Sequence, residues 1–172
     1  MDDPTESWPA GTRLRAATPA DIDALQQFVA RLSMRTRVQR FFAPLRELPS
    51  ALVQALQRND PAHRFVVAER DAAIVGLGQY AVEAPHERCE VALVVDDRLH
   101  GLGLGRRLLE CLLADAGRAG LRQAMLETFA GNTAMRRLAQ RCGFRIERHP
   151  EDPDLVRGWR LIRAGAGSGA WP

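Results

Sequence analysis

The sequence predicts an α/β fold with a mixed sheet. Two observations carry that prediction. Strand-like and helix-like patterns follow one another in the order helices, three strands, helix, strand, helix, two strands, the succession that layered α/β architectures produce. Between the third strand and the next helix lies His100-Gly101-Leu102-Gly103-Leu104-Gly105-Arg106-Arg107. In this glycine-rich turn the apolar period changes from that of a strand to that of a helix.

The elements follow in order. Residues 1–11 read as a flexible tail, and Thr12-Arg13-Leu14-Arg15-Ala16 as a short first strand. Thr18-Pro19-Ala20-Asp21 opens a helix. Thr18 stands at the N-cap, Pro19 at the first helical position and Asp21 where a capping-box acid belongs. Ile22, Leu25, Phe28, Val29 and Leu32 give this helix one apolar face. Arg35 to Leu48 is rich in Arg and aromatics, and Pro49-Ser50 then opens a second helix through about Leu56. Arg64 to Ala68 and Ala73 to Val82 read as strands around a tight turn at Glu69-Arg70-Asp71. The third strand, Arg88 to Val95, leads into the glycine turn. A helix from Gly103 to Ala116 carries Leu at 104, 108 and 112, and again at 109 and 113, as one stripe, and stops at Gly117 or Gly120. Strand Gln123 to Glu127, helix Asn132 to Arg141, a stop at Cys142-Gly143 and strand Phe144 to Arg148 follow. Pro150 and Pro153 mark a turn before the last strand, Leu155 to Ile162. The Gly- and Ala-rich residues 164–172 read as a second flexible tail, leaving 12–163 as a single domain.

Composition narrows the function classes. The 172 residues and 19.1 kDa suffice for one domain with a full core. No apolar run approaches the roughly 20 residues of a membrane helix. The acidic start Met1-Asp2-Asp3-Pro4 lacks the basic and apolar regions of a signal peptide, so a cytoplasmic protein is expected. Cys89, Cys111 and Cys142 are far apart and show no ligand spacing, which argues against zinc, any other metal site and a disulfide framework. The net charge is +3, and all 24 basic residues are Arg. They are scattered, which gives little support to a nucleic-acid partner.

Glycine lets backbone approach a ligand, and a helix start presents unpaired N–H groups at the positive end of its dipole. Together they make a phosphate cradle. A nucleoside-triphosphate loop needs Gly-Lys-Ser/Thr, and the chain has no lysine. A dinucleotide loop needs a third glycine where Leu108 stands. A plain connection would spend three glycines in five residues at a cost in backbone entropy. Coenzyme A is the remaining candidate.

His100-Gly101-Leu102-Gly103-Leu104-Gly105 resembles the motif of the GNAT acetyltransferase superfamily, Gln/Arg-x-x-Gly-x-Gly/Ala after a strand, with His100 in place of Gln or Arg. Asn132, Leu138, Gly143 and Phe144 resemble its second element, an Asn followed by an apolar helix ending in Gly-Phe. Ser33 to Leu48 resembles the helical segment of Pat-type bacterial protein lysine acetyltransferases, and Cys89-Glu90-Val91-Ala92 and Pro150-Glu151-Asp152-Pro153 resemble their segments before the glycine turn and before the last strand. This similarity covers about Thr12 to Ile162.

The resemblance implies a mixed, mostly antiparallel sheet of six to seven strands flanked by about four helices. It implies acetyl-CoA as co-substrate, no metal, and a protein lysine as acceptor. A lysine amine, with pKa about 10.4, must lose a proton to attack; Glu90 is the implied general base, with Glu83 and Glu87 as substitutes. Leu93, Val94 and Val95 would offer backbone groups to the pantetheine arm and an N–H to the thioester oxygen. His100, Gly101, Leu102, Gly103, Leu104, Gly105 and Arg106 would wrap the pyrophosphate, chiefly through backbone N–H groups. Arg106 and Arg107 would add charge, and Asn132 and Met135 would contact the cofactor from the following helix. Ala139 stands where many members place a Tyr that protonates the leaving thiolate. Tyr80, the one tyrosine, reads as sheet packing, and Arg40, Phe41 and Phe42 as either core or acceptor wall. His63, His86 and His149 have no evident partner in sequence. A small-molecule amine as acceptor, and a non-catalytic acyl-CoA sensor, stay open as alternatives.

Overall fold

The computed structural model describes residues 9–83 and 87–162. Alternating apolar residues lay down seven strands: β1 (Thr12–Ala16), β2 (His63–Arg70), β3 (Ala73–Glu83), β4 (Arg88–Val95), β5 (Gln123–Phe129), β6 (Arg145–Arg148) and β7 (Leu155–Leu161). Five α-helices accompany them: α1 (Ile22–Arg31), α2 (Met34–Phe41), α3 (Ser50–Gln57), α4 (Leu104–Arg118) and α5 (Thr133–Arg141). The strands form one sheet in the order β1-β2-β3-β4-β5-β7-β6. Every pairing is antiparallel except β4 with β5. This is the mixed, mostly antiparallel sheet expected. The expected tails lie outside the described residues apart from 9–11, as does His86.

Alternation along the strands feeds two apolar layers. Val66 of β2, with Val91 and Val95 of β4, faces Leu104, Leu108 and Leu112 of α4. Val67 and Val94, next to them in sequence, face Leu25, Phe28 and Val29 of α1 on the opposite side. Leu108, Leu109 and Leu112 are fully buried, each stabilising the fold by about 1.5–3 kcal/mol. α4 lies close on β3 because Gly76 and Gly78 leave room: a Cβ at either would meet a leucine methyl of α4 at 3.0 Å.

The structure departs from the sequence reading at two places. The β2–β3 turn is Asp71-Ala72, with φ of 51° and 58°, beginning two residues later than expected. These two left-handed residues match the right-handed twist of the flanking strands, so β2 continues through Arg70. The fifth helix, α2, falls in the Arg-rich stretch where no apolar period marks it. Polar contacts hold it instead. Ser33 Oγ accepts from the Thr36 N–H at 3.2 Å, and buried Arg37 donates to the Leu32 carbonyl at 2.6 Å. Left-handed Phe42 (φ 57°) ends the helix.

Tyr80 is sheet packing. It is 2% exposed, and its hydroxyl donates to Asp115 at 2.9 Å, with Arg64 on the same carboxylate at 3.1 Å. Burial pushes its phenol up to about 12. No helix among the described residues is long and apolar enough to cross a membrane.

Candidate active site

β4 and β5 run side by side for only three residue pairs, the last being Glu90 with Met125. Beyond it β4 continues to Val95 and β5 to Phe129 without pairing, so the two strands part as a wedge. The cavity in and around this wedge has a volume of about 680 Å³. β4 from Glu90 to Val95 forms one wall, Glu127 and Thr128 of β5 with Asn132, Met135 and Leu138 the other, and Gly101, Gly103, Gly105 and Arg106 the mouth. α2 covers the remaining side with Thr36, Gln39, Arg40 and Phe41.

The glycine turn is shaped by its backbone. Gly101 and Gly103 both have φ of 79°, a conformation that costs glycine nothing and other residues appreciably. Gly103 is the N-cap of α4, so the first N–H groups of the helix, which have no intrahelical partner, open at the cavity mouth. Gly105 lets the helix approach α5: a Cβ there would meet Leu138 at 3.3 Å. The side chain of Leu104 is fully buried in the core, and those of Leu102 and Arg107 are exposed; neither of the three side chains lines the cavity. Arg106 donates to Glu110 one turn on, at 2.8 Å. Val94 and Val95 are buried and Leu93 partly so, and all three line the wedge.

His100 has a definite task. Its Nε2 lies 2.9 Å from the Val95 carbonyl, which can only accept, so this nitrogen carries the proton and donates. The imidazole thereby fastens the glycine turn to the end of β4. Asn132 is also fully engaged. Its Oδ1 accepts from the Met135 N–H at 3.2 Å, capping α5, and its Nδ2 donates to Thr128 at 3.0 Å.

A set of polar contacts joins α2 to the loop before the glycine turn. Asp97, just before the glycine turn, accepts from the Ser33 N–H at 2.9 Å, the Ser33 hydroxyl at 2.7 Å and the Thr36 hydroxyl at 2.6 Å. Burial disfavours its charge, but these donors together hold the carboxyl down to about 2. The start of α2 is therefore tied to the loop that leads into the glycine turn.

A scan against family models matches residues 30–144 to the acetyltransferase (GNAT) family. The chain belongs to the GNAT acetyltransferase family. It is 34% identical over 148 residues to acetyltransferase PA5475 of Pseudomonas aeruginosa, covering 83% of this chain and 80% of that protein. It is 28% identical over 137 residues to acetyltransferase Pat of Mycolicibacterium smegmatis, covering 76% of this chain and 40% of that protein. Among solved structures, the GNAT domain of S. lividans PAT superposes with a TM-score of 0.80 at 24% identity, covering 88% and 90% of the two chains.

In this GNAT enzyme Glu90 sits where the wedge opens. Burial pushes its carboxyl above the usual carboxylate range; Glu127 and Glu83 push the same way, while Arg40 and Arg157 oppose them. Glu83 is 3.9 Å from Arg88 and Glu87 is 4.0 Å from Arg122, and neither lines the cavity. Ala139 is fully buried in the core, so the acetyltransferase has no hydroxyl at that position. Cys142 is likewise buried. His63 bonds Asp60 at 3.1 Å on the surface side. No group of three potential metal ligands occurs among the described residues.

Arg40, read from sequence as either core or acceptor wall, is a cavity residue, and a second one, Glu127, escapes the sequence reading. Arg40 lines the cavity with its Nε and Nη2 buried and unpartnered. Its guanidinium lies 4.8 Å from the Phe41 ring centroid, and burial lowers it to about 10, against the pull of Glu90. Glu127 lines the wall opposite Glu90. Its signal in sequence is a lone acid among the apolar residues Met125, Leu126 and Phe129 of β5.

Proposed function

We propose that the chain transfers an acetyl group from acetyl-CoA to a protein lysine, with Glu90 as general base. The observation that carries this reading is the wedge, with a carboxylate at its apex and a helix-start phosphate cradle at its mouth. Left-handed Gly101 and Gly103 and the opening N–H groups of α4 suit a pyrophosphate. The unpaired edge of β4 from Val91 to Val95 suits the amide-bearing pantetheine arm.

Acetyl-CoA supplies the acetyl thioester. An acceptor ammonium must lose one proton to free its lone pair, and Glu90 takes it, directly or through one water. The nitrogen then bonds the carbonyl carbon while the carbon–sulfur bond breaks. The bonding pair leaves with sulfur. The second proton shed by nitrogen goes to the thiolate, whose conjugate acid has pKa about 8.5, so the missing hydroxyl at Ala139 is tolerable. A β4 N–H past Glu90 would receive the charge that develops on the carbonyl oxygen.

A protein acceptor is favoured by the surface beside α2, where Met34, Phe42 and Leu45 are 65%, 46% and 39% exposed. Phe42 also lines the cavity and packs on Phe129 with centroids 5.1 Å apart. A small-molecule amine is the second reading, favoured by the two carboxylates, Glu90 and Glu127, in one cavity. The test incubates the protein with acetyl-CoA and a cell lysate and reads new acetyl-lysines by mass spectrometry. Modified protein lysines that vanish with Glu90→Gln are expected. Transfer to small amines alone would establish the second reading, and tight CoA binding with no transfer to either class would leave a sensor.

A further inference from the structure

Glu127 is bound asymmetrically. Its Oε1 receives Arg157 Nε at 3.2 Å and Arg157 Nη2 at 2.9 Å, and lies 3.1 Å from His149 Nε2. The proton on His149 follows from its other nitrogen. His149 Nδ1 is approached by two backbone N–H groups, those of Glu151 at 3.2 Å and Asp152 at 3.1 Å. A nitrogen accepting from fixed donors carries no proton, so the hydrogen sits on Nε2 and points to Glu127. Three N–H groups thus converge on Oε1. That convergence also explains why Arg157 Nη2 and His149 Nε2 lie only 3.1 Å apart.

The other oxygen, Oε2, has no protein partner among the described residues, and the Glu127 side chain keeps 31% of its surface open. It belongs to the residue that lines the wedge wall opposite Glu90. A carboxylate held by three donors on one oxygen is fixed in orientation, with its second oxygen available to a cation.

We infer that Glu127 is the acceptor-binding carboxylate: its Oε2 takes the acceptor's ammonium group on the β5 side of the wedge and presents it to Glu90. This rests on the acetyltransfer reading and deepens it, since it names the acceptor's charged form as what the site selects. The two acids divide the work. Glu127, held by donors on Oε1, binds; Glu90, whose side chain has no hydrogen-bond partner among the described residues, takes the proton. The charged groups that bear on Glu90 are Glu127 of β5, Glu83 of β3, Arg40 of α2 and Arg157 of β7. Removing the Glu127 charge therefore lowers the pH at which Glu90 ionises.

Glu127→Gln tests the assignment, because the glutamine carbonyl can still accept the three N–H groups and keep β5, β7 and the His149 turn together. The probes are Nα-acetyl-lysine amide and its uncharged counterpart, Nα-acetyl-norleucine amide, titrated calorimetrically into CoA-loaded protein. The expected result is at least a tenfold loss of lysine-amide affinity in the variant, with norleucine-amide binding and the melting temperature unchanged. In turnover, KM for the amine rises, KM for acetyl-CoA holds, and the acidic limb of kcat/KM moves to lower pH. Equal losses for both probes, or lysine-amide binding that ignores the substitution, would overturn the inference, as would wild-type protein that does not bind the lysine amide. Wild-type binding lost in the variant, but without acetyl transfer, would uphold Glu127 and sink the acetyltransfer reading instead.

Discussion

The two halves of the cavity are built from different materials. The half assigned to the acetyl donor is backbone: two left-handed glycines, the first turn of α4 and the unpaired edge of β4. The half assigned to the acceptor is side chain: Glu90 from β4, Glu127 from β5 and Arg40 from α2. Backbone donors depend on local conformation and tolerate changes of side chain, as His100 in the Gln/Arg position illustrates. Charged side chains depend on partners far away in sequence, as Glu127 depends on His149 and Arg157. One half can therefore stay constant while the other changes its acceptor.

Substitutions can break this division or sharpen it. The largest effect is expected from Glu90→Gln. Loss of a general base lowers kcat by about 10²–10⁴-fold while the Kd for acetyl-CoA stays put. Free-thiol release and calorimetry check the two numbers, and a matching loss of donor affinity would mean that the halves are not separable. In the intact enzyme the rate rises with pH through a midpoint above the usual carboxylate range, because Glu90 must be ionised and its carboxyl is raised.

Asp97→Asn comes next, because it cuts the joint between the halves. The native carboxyl titrates at about 2, against about 3.9 when unfolded. A lowered native pKa stabilises the fold above the unfolded value, and that stabilisation is lost as pH falls toward 2. It amounts to roughly 2 kcal/mol at neutral pH. Urea melts should show the variant weaker at pH 7 and the gap closing between about pH 4 and 2; a gap independent of pH would discard the ionic origin of the joint.

Gly103→Ala forces a Cβ onto a residue with φ of 79°, at a cost of about 1–2 kcal/mol. Acetyl-CoA binding should weaken about tenfold, with amine KM unchanged. The smallest effect belongs to Asn132→Ala, which removes the α5 cap and the Thr128 bond. About 1 kcal/mol should appear as a fall of a few degrees in Tm by circular dichroism.

The same division explains what was legible in the sequence. The glycine turn and the start of α4 were legible because glycine spacing and the leucine stripe of α4 are local. The bounds of β4 were legible for that reason too. Glu90 was reached only through a resemblance, since nothing near it in the chain distinguishes it from Glu83 or Glu87. Glu127 was missed, and Arg40 was left between core and acceptor wall, because their meaning lies in contacts 22 residues away or more, or in the register that brings β5 beside β4. α2 was reached only through the resemblance of Ser33 to Leu48 to a helical segment, because serine, threonine and arginine hold it where a periodic apolar face would be expected.

The three-rung ladder between β4 and β5 has a thermodynamic consequence. Beyond Glu90 the sheet has open rungs, and a pantetheine arm lying there would complete them, so the donor acts as a missing strand. Binding to the folded chain alone adds RT ln(1 + [L]/Kd), about 2.7 kcal/mol at a hundredfold excess over Kd. Resistance to unfolding and proteolysis then tracks the supply of acyl thioester, and the lifetime of the protein becomes a gauge of the metabolite it spends.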